Sequence, residues 1–273
     1  MAAYAQPLVS LIERDLPIQR AWIEPAVLPK GGKLLFGGLA KTGKSMVMLN
    51  MALALATGAT LFGYTLFRCP TPVRVLIIEQ ELGEIGLQER SRLLFHDVER
   101  AHMDNLWYIS KDPELQLDSP QGRKRLWEAV AQVRPAVVFL DPFGKMHTQD
   151  DNSNQSVTIL WRHIDRLIKD FADLELSVVA SHHFGKPLRE PGSNFDLLSP
   201  YNFRGASQFY NDMDSLVTMH RTDSLRLGHE AWKLRTRWGP NRHGGMPEED
   251  LILTVNRNQD LRVVYEASVR KGH

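Results

Sequence analysis

A single cysteine, Cys69, stands in 273 residues. Without a second thiol there is no internal disulfide framework and no Cys-rich zinc module, and a reducing cytoplasm is the compartment this usage fits. Charge of one sign is equally scarce: Lys and Arg total 33, Asp and Glu 32, and the net charge is +1. That balance excludes a polybasic coat, so any nucleic-acid contact has to come from a local patch. Internal repeats and low-complexity tracts are also lacking, and no basic–apolar–small leader is expected. Met46–Phe67 carries no charged residue across 22 positions, long enough to suggest a membrane span. Asn50, Thr57, Gly58, Thr60, Gly63 and Thr65 interrupt it, so a buried helix ending near Gly58 and then a loop is expected, and no membrane partner. What is present is globular: hydrophobic residues at 43% and charged residues at 24% exclude wholesale disorder.

Pro7, Pro17, Pro25 and Pro29 break any long helix in residues 1–30, which are expected to form an arm that contacts a neighbouring subunit. Residues 31–273 are expected to form one elaborated domain. Lys33–Phe36 predicts a short strand, and Met46–Ala56, rich in Met, Leu and Ala, a helix. Val73–Ile78, Ala136–Leu140 and Val178–Ala180 are buried-strand runs, apolar on both faces. Helices are expected over 83–100, 121–134 and 156–171, the last with Ile159, Leu160, Ile164, Leu167, Ile168 and Phe171 in register. Strands alternating with helices predict an α/β fold, a mostly parallel sheet between helix layers. Residues 188–202, with two prolines and no period, predict a long loop. Strands over 214–220, 229–235, 251–256 and 261–266 predict antiparallel additions to the sheet edge.

Between the first strand and the first helix, Gly38 to Ser45 (Gly-Leu-Ala-Lys-Thr-Gly-Lys-Ser) matches G-x-x-x-x-G-K-[ST]. Glycines let the backbone curl so that successive N–H groups face phosphate oxygens. In that pattern Gly38, Lys41, Thr42 and Gly43 line the nucleotide, Lys44 neutralises the β- and γ-phosphates and Ser45 gives an oxygen to Mg²⁺, and the family resemblance given below adds Met46 to the lining. ATP and Mg²⁺ are therefore the expected cofactors. Asp141 ends the second apolar run, at the strand end where ligands bind, and can hold the same Mg²⁺. Glu79 and Glu81 follow the Val73–Ile78 strand, and either can orient and deprotonate the attacking water. His182 and His183 end a third strand on the same rim, as candidates for sensing the γ-phosphate. Arg204, Lys233, Arg235 and Arg237 form a late cationic set, from which an arginine can serve a neighbour's phosphate. Lys145, Lys186 and Arg189 flank loops and are candidates for a nucleic-acid backbone.

The order of these motifs resembles the RecA-like P-loop ATPase core, and within it the single-domain hexameric helicases of the plasmid RepA family. The likeness rests on Gly37–Met46, Val75–Glu81, Val137–Asp141, His147 with Asp151 and Asn152, Val178–Lys186 and Phe203–Ser207, and spans roughly residues 25–240. It implies that Lys44 and Ser45 contact ATP and Mg²⁺, that Asp141 is the metal-side acid, that Glu81 rather than Glu79 is the catalytic carboxylate, and that His183, with His182, is the sensor. It favours Arg204 as the finger acting across a subunit boundary. The stretch Arg235-Thr-Arg237-Trp-Gly-Pro240 is similar to the basic-x-basic-x-Gly-Pro stretch of DnaB-type helicases, which makes Arg235 and Arg237 rival trans-acting candidates. Arg90 falls where these cores carry an arginine. Two features depart from the family: the loop is bulky at Leu39–Thr42, and 188–202 shares no pattern with the family's DNA-facing loop.

The resemblance implies an ATP-driven hexameric helicase or translocase moving along single-stranded DNA. The alternative is a RecA-like DNA-dependent ATPase that forms filaments, or an ATP-gated regulatory or assembly protein without unwinding activity. Both readings share the core and differ in assembly geometry.

Overall fold

One sheet with two apolar faces organises the chain in the computed structural model, which describes residues 5–15, 20–185, 196–203, 211–222, 231–242, 244–256 and 261–269. In chain order the elements begin with a short helix α1 (Leu8–Ile12), the strands β1 (Ala21–Ile23), β2 (Leu28–Pro29) and β3 (Lys33–Gly38), and helix α2 (Lys44–Thr57). There follow β4 (Val75–Glu79), α3 (Gly83–Leu94), α4 (Arg100–Met103), β5 (Leu106–Ser110), α5 (Pro120–Val133) and β6 (Val137–Asp141). The chain continues through α6 (Asn154–Asp170), β7 (Ser177–His183), β8 (Ser215–Arg221), β9 (Ala231–Asn241), β10 (Asp250–Asn256) and β11 (Val263–Val269).

Among the described residues nine strands join in the order β11-β10-β9-β8-β3-β7-β6-β4-β5. The pairs from β8 through β3, β7, β6 and β4 to β5 are parallel, and β8 to β11 pair antiparallel. This is the expected α/β architecture with antiparallel edge strands. Alternation along each strand splits the core in two. Phe36, Ile77, Phe139, Val179 and Trp238 pack on one face with α2, and Leu35, Ile78, Leu140, Ala180 and Leu216 on the other with α5 and α6. Serine caps fix the start of both helices on that second face: Ser119 Oγ accepts from Gly122 N at 2.9 Å and Ser153 Oγ from Ser156 N at 3.2 Å, each contributing about 1 kcal/mol.

Three expectations needed correction. The helix expected over 83–100 stops at Leu94, and only Arg100–Met103 resumes it. Strand β5, which alternation did not announce, forms the sheet edge with Trp107 and Tyr108 exposed. Strand β9 runs to Asn241 rather than ending at 235, so it carries Arg237 within the sheet. Within the N-terminal stretch, α1 has no buried residue, whereas Trp22, Ile23, Val27 and Leu28 are buried in the main core. Of the loop expected over 188–202, residues 196–202 are described and close on a turn at Pro200–Asn202.

Candidate functional site

Parallel pairing brings the chemistry to one rim. Gly38 is level with His183, and Glu79 with Asp141, so the C-terminal ends of β3, β7, β6 and β4 open on the same crevice. The turn from β3 into α2 is tight enough to require glycine. A Cβ on Gly38 would lie 2.8 Å from the Met219 carbonyl oxygen, and Gly43 has φ +100°, a left-handed conformation at the N-cap of α2. Thr42 closes the loop by donating from Oγ1 to the Leu39 carbonyl at 2.8 Å. Lys41 is exposed with φ 61°, and Met46 is buried, its backbone N–H donating to the Gly43 carbonyl at 3.0 Å.

Lys44 is 5% exposed, and its Nζ donates to the carbonyls of Gly38 at 3.0 Å and Leu39 at 2.9 Å and lies 3.2 Å from His183 Nδ1. Burial pulls its pKa down to about 8, against the opposing charges of Asp141 and Glu81. A buried ammonium wedged among carbonyls at the head of a helix is primed for an anion. Asp141 is buried too. It accepts from Ser181 Oγ at 2.6 Å and from the Ser45 hydroxyl, and burial raises its pKa above the usual carboxylate range despite those bonds and the Lys44 charge. Hydroxyls do not neutralise a carboxylate, so the pair Ser45 and Asp141 suits a hard divalent cation. Among the described residues no group of three His, Cys, Asp or Glu side chains is placed to hold a metal ion. A cation here would complete its shell with water and phosphate oxygens, which is how Mg²⁺ is usually held. The residues therefore fit Mg²⁺ with a nucleoside triphosphate.

The two acids after β4 separate sharply. Glu79 is 3% exposed and spends both oxygens on backbone: Oε1 accepts from Glu81 N at 2.6 Å and Leu82 N at 2.5 Å, and Oε2 from Gly83 N at 3.0 Å. It caps the entry to α3 in place of Leu82, whose side chain supplies no cap. Glu81 is exposed, and its charge reaches Lys44. His182 is buried and stacks on Phe203, with ring centroids 6.3 Å apart, while His183 faces Lys44. His147 is buried behind the rim, 3.5 Å from Asp151, and burial lowers its pKa.

Leu234 and Trp238 of β9 pack on the α2 face of the sheet, so the alternating Arg235 and Arg237 emerge on the other face. Arg237 donates from Nε to Asp250 Oδ1 at 2.7 Å and from Nη1 to Asp196 Oδ2 at 2.5 Å, and Arg235 donates from Nε to Asp250 Oδ2 at 2.9 Å. The hydrogen bonds that Arg237 donates to Asp250 chiefly, then to Asp196, raise its pKa further. Lys233 pairs with Glu266 at 2.7 Å, and Lys145 is exposed just after β6. Arg204, Lys186 and Arg189 lie outside the described residues.

Sequence reasoning missed two residues here. Asp250 is 1% exposed and sits thirteen positions after Arg237 with no motif around it. Trp232 roofs the phosphate loop, since a Cβ on Gly43 would meet its Nε1 at 3.2 Å, and the Arg221 guanidinium lies 5.2 Å over its ring.

No helix among the described residues is long and apolar enough to cross a membrane. No curated protein matches the chain. Among solved structures, the crystal structure of a KaiC-like protein from the hyperthermophilic archaeon Pyrococcus horikoshii OT3 matches with a TM-score of 0.57 at 11% identity, covering 90% of this chain and 94% of that one. At that identity the likeness concerns the fold, which is the RecA type. A family model described as an AAA domain matches residues 6–188, from before α1 to just beyond β7. With the phosphate loop, the buried Asp141 and the parallel rim in place, the chain belongs to the AAA domain family and is a P-loop ATPase.

Proposed function

We propose that the chain is a RepA-like, ring-forming helicase or translocase that hydrolyses ATP while moving along single-stranded DNA. Lys44 holds the β- and γ-phosphates, Ser45 and Asp141 hold Mg²⁺, and Glu81 takes the proton of the attacking water. Glu81 has this role because Glu79 is consumed in capping α3. Bound Mg²⁺ supplies charge neutralisation between the phosphates. His183, 3.2 Å from the Lys44 ammonium, answers to the γ-phosphate through that contact.

The observation that carries the oligomeric part is the placement of the arginines. Arg235 and Arg237 stand on the sheet face opposite α2, turned from their own phosphate loop, so the phosphate they serve belongs to a neighbouring copy. Arg204 is the other finger on our reading. A second observation agrees: Leu8, Val9, Leu11 and Ile12 of α1 are all exposed, an apolar strip that a neighbouring subunit would bury, and we read the arm as that contact. Lys145 on the rim, with Lys186 and Arg189, is the proposed contact to the DNA backbone.

The test is ATP turnover with and without single-stranded oligonucleotide, beside displacement of a labelled strand from a forked duplex and negative-stain imaging. DNA-stimulated turnover, ATP-dependent displacement and closed rings are expected. Long regular filaments without displacement would establish the recombinase-type reading instead, and turnover indifferent to DNA would remove the motor.

A further inference from the structure

Asp250 is the most enclosed carboxylate in the antiparallel half of the sheet, with a side chain 2% exposed, and both of its oxygens are engaged by guanidinium. Arg237 meets it edge-on, Nε to Oδ1 at 2.7 Å and Nη2 to Oδ2 at 3.1 Å; Arg235 adds Nε at 2.9 Å and Nη2 at 2.7 Å to Oδ2. One buried carboxylate thus fixes the planes of two guanidinium groups, which a single residue between them on β9, Thr236, sets on the same face. The remaining edge of Arg237 is held differently. Its Nη1 donates at 2.5 Å to Asp196, whose side chain is 50% exposed.

We propose that Asp250 is the positioning residue that aims the Arg235–Arg237 pair, and that Asp196 is an exchangeable carboxylate holding Arg237 until a phosphate oxygen of a neighbouring copy's nucleotide replaces it. This rests on the reading above that Arg237 serves a neighbour's nucleotide.

The asymmetry follows from solvation. A charge pair sealed from water is lost only by leaving a buried charge uncompensated, whereas an exposed pair is weak and screened. Exchange on Arg237 therefore happens at the Asp196 edge, where one anionic oxygen takes the place of another and the guanidinium keeps its orientation. Without Asp196, one Asp250 between two arginines leaves a net positive site, which attracts phosphate. Asp196 is also well placed to report that exchange. Its Oδ1 accepts from Leu198 N at 3.1 Å, its carbonyl accepts from Asn202 Nδ2 at 2.8 Å, and the Leu198 carbonyl accepts from Thr218 Oγ1 at 2.7 Å. The same turn ends at Phe203, which pairs with Phe184 directly after His183 and stacks on His182. The neighbour's phosphate and the chain's own sensor strand are thus joined through one short turn.

Steady-state ATP hydrolysis by the full chain, at concentrations where it is assembled, tests this with three variants. Asp196→Asn should raise kcat by up to about fivefold, the change that release of an exposed ion pair corresponds to, with KM for ATP unchanged. Asp250→Asn should lower kcat by about tenfold or more with KM and nucleotide affinity intact, the usual cost of losing the outer support of a working group, and Asp250→Glu should recover part of it. In the Arg237→Ala background, Asp196→Asn should have no further effect. If Arg237→Ala leaves turnover unchanged, the reading of Arg237 as donor falls and this inference with it. If Arg237→Ala lowers turnover while Asp196→Asn does not raise kcat, the donor survives and the exchangeable role of Asp196 is overturned. Asp196 is exposed, so its variant is read even if Asp250→Asn fails to fold.

Discussion

Two buried carboxylates, Asp141 in the parallel half of the sheet and Asp250 in the antiparallel half, meet opposite fates. Asp141 has hydroxyls for partners, Ser181 and Ser45, and its pKa is driven up by burial. Asp250 has two guanidinium groups, at 2.7 Å from each. An enclosed acid short of positive charge is a place where a cation is to be delivered, and one already matched is a fixed part. On our proposal the parallel rim is the half that changes with ligand, and the arginine strand the half that stays aimed.

The sharpest way to break this contrast is at Lys44. Lys44→Ala should abolish ATP hydrolysis, and turnover persisting in a purified variant would remove the phosphate loop from the account. Next, Glu81→Gln should cut hydrolysis by about 10²- to 10⁴-fold, as loss of a general base does, with ATP affinity nearly unchanged by equilibrium binding. Glu79→Gln should instead cost about 1–3 kcal/mol of stability in urea melts, from three backbone donors left with a weaker acceptor. An ATPase defect from Glu79→Gln without loss of stability would reverse the assignment.

A smaller effect lies in the pH dependence. Burial holds Lys44 near 8, and the phosphates bind its charged form, so binding raises its pKa and takes up a proton above that value. Affinity for a non-hydrolysable ATP analogue should be flat below pH 8 and fall by about tenfold per unit above it. A flat profile to pH 9.5 would mean that the ammonium does not meet the phosphate. The smallest effect is at the helix caps: Ser153→Ala should cost about 1 kcal/mol with no change in KM.

Much of the parallel half was legible, because its signals are local. Val73–Ile78 and Ala136–Leu140 read as buried-strand runs, apolar on both faces as in a parallel sheet, and the glycine pattern of 38–45 has one steric purpose. The choice between Glu79 and Glu81 was not local: it turns on the backbone N–H groups of 81–83, which only the folded turn directs at Glu79. The β5 edge escaped because Trp107 and Tyr108 face solvent, which breaks the alternation. Asp250 was invisible because its meaning lies in the register that sets Leu251 opposite Thr236 and so brings the acid alongside both arginines. No spacing in the sequence encodes that register.

The central claim is that nucleotide held by one copy is hydrolysed with the help of a cation from the next. Lys44→Ala chains keep their arginines but cannot hold ATP; Arg237→Ala chains hold ATP but lack the donor. Each alone should be nearly inactive, and titrating one into the other should restore turnover with a maximum at intermediate ratios. No recovery at any ratio would contradict it, whereas an Arg237→Ala protein as active as the unaltered chain would leave Arg204 as the donor.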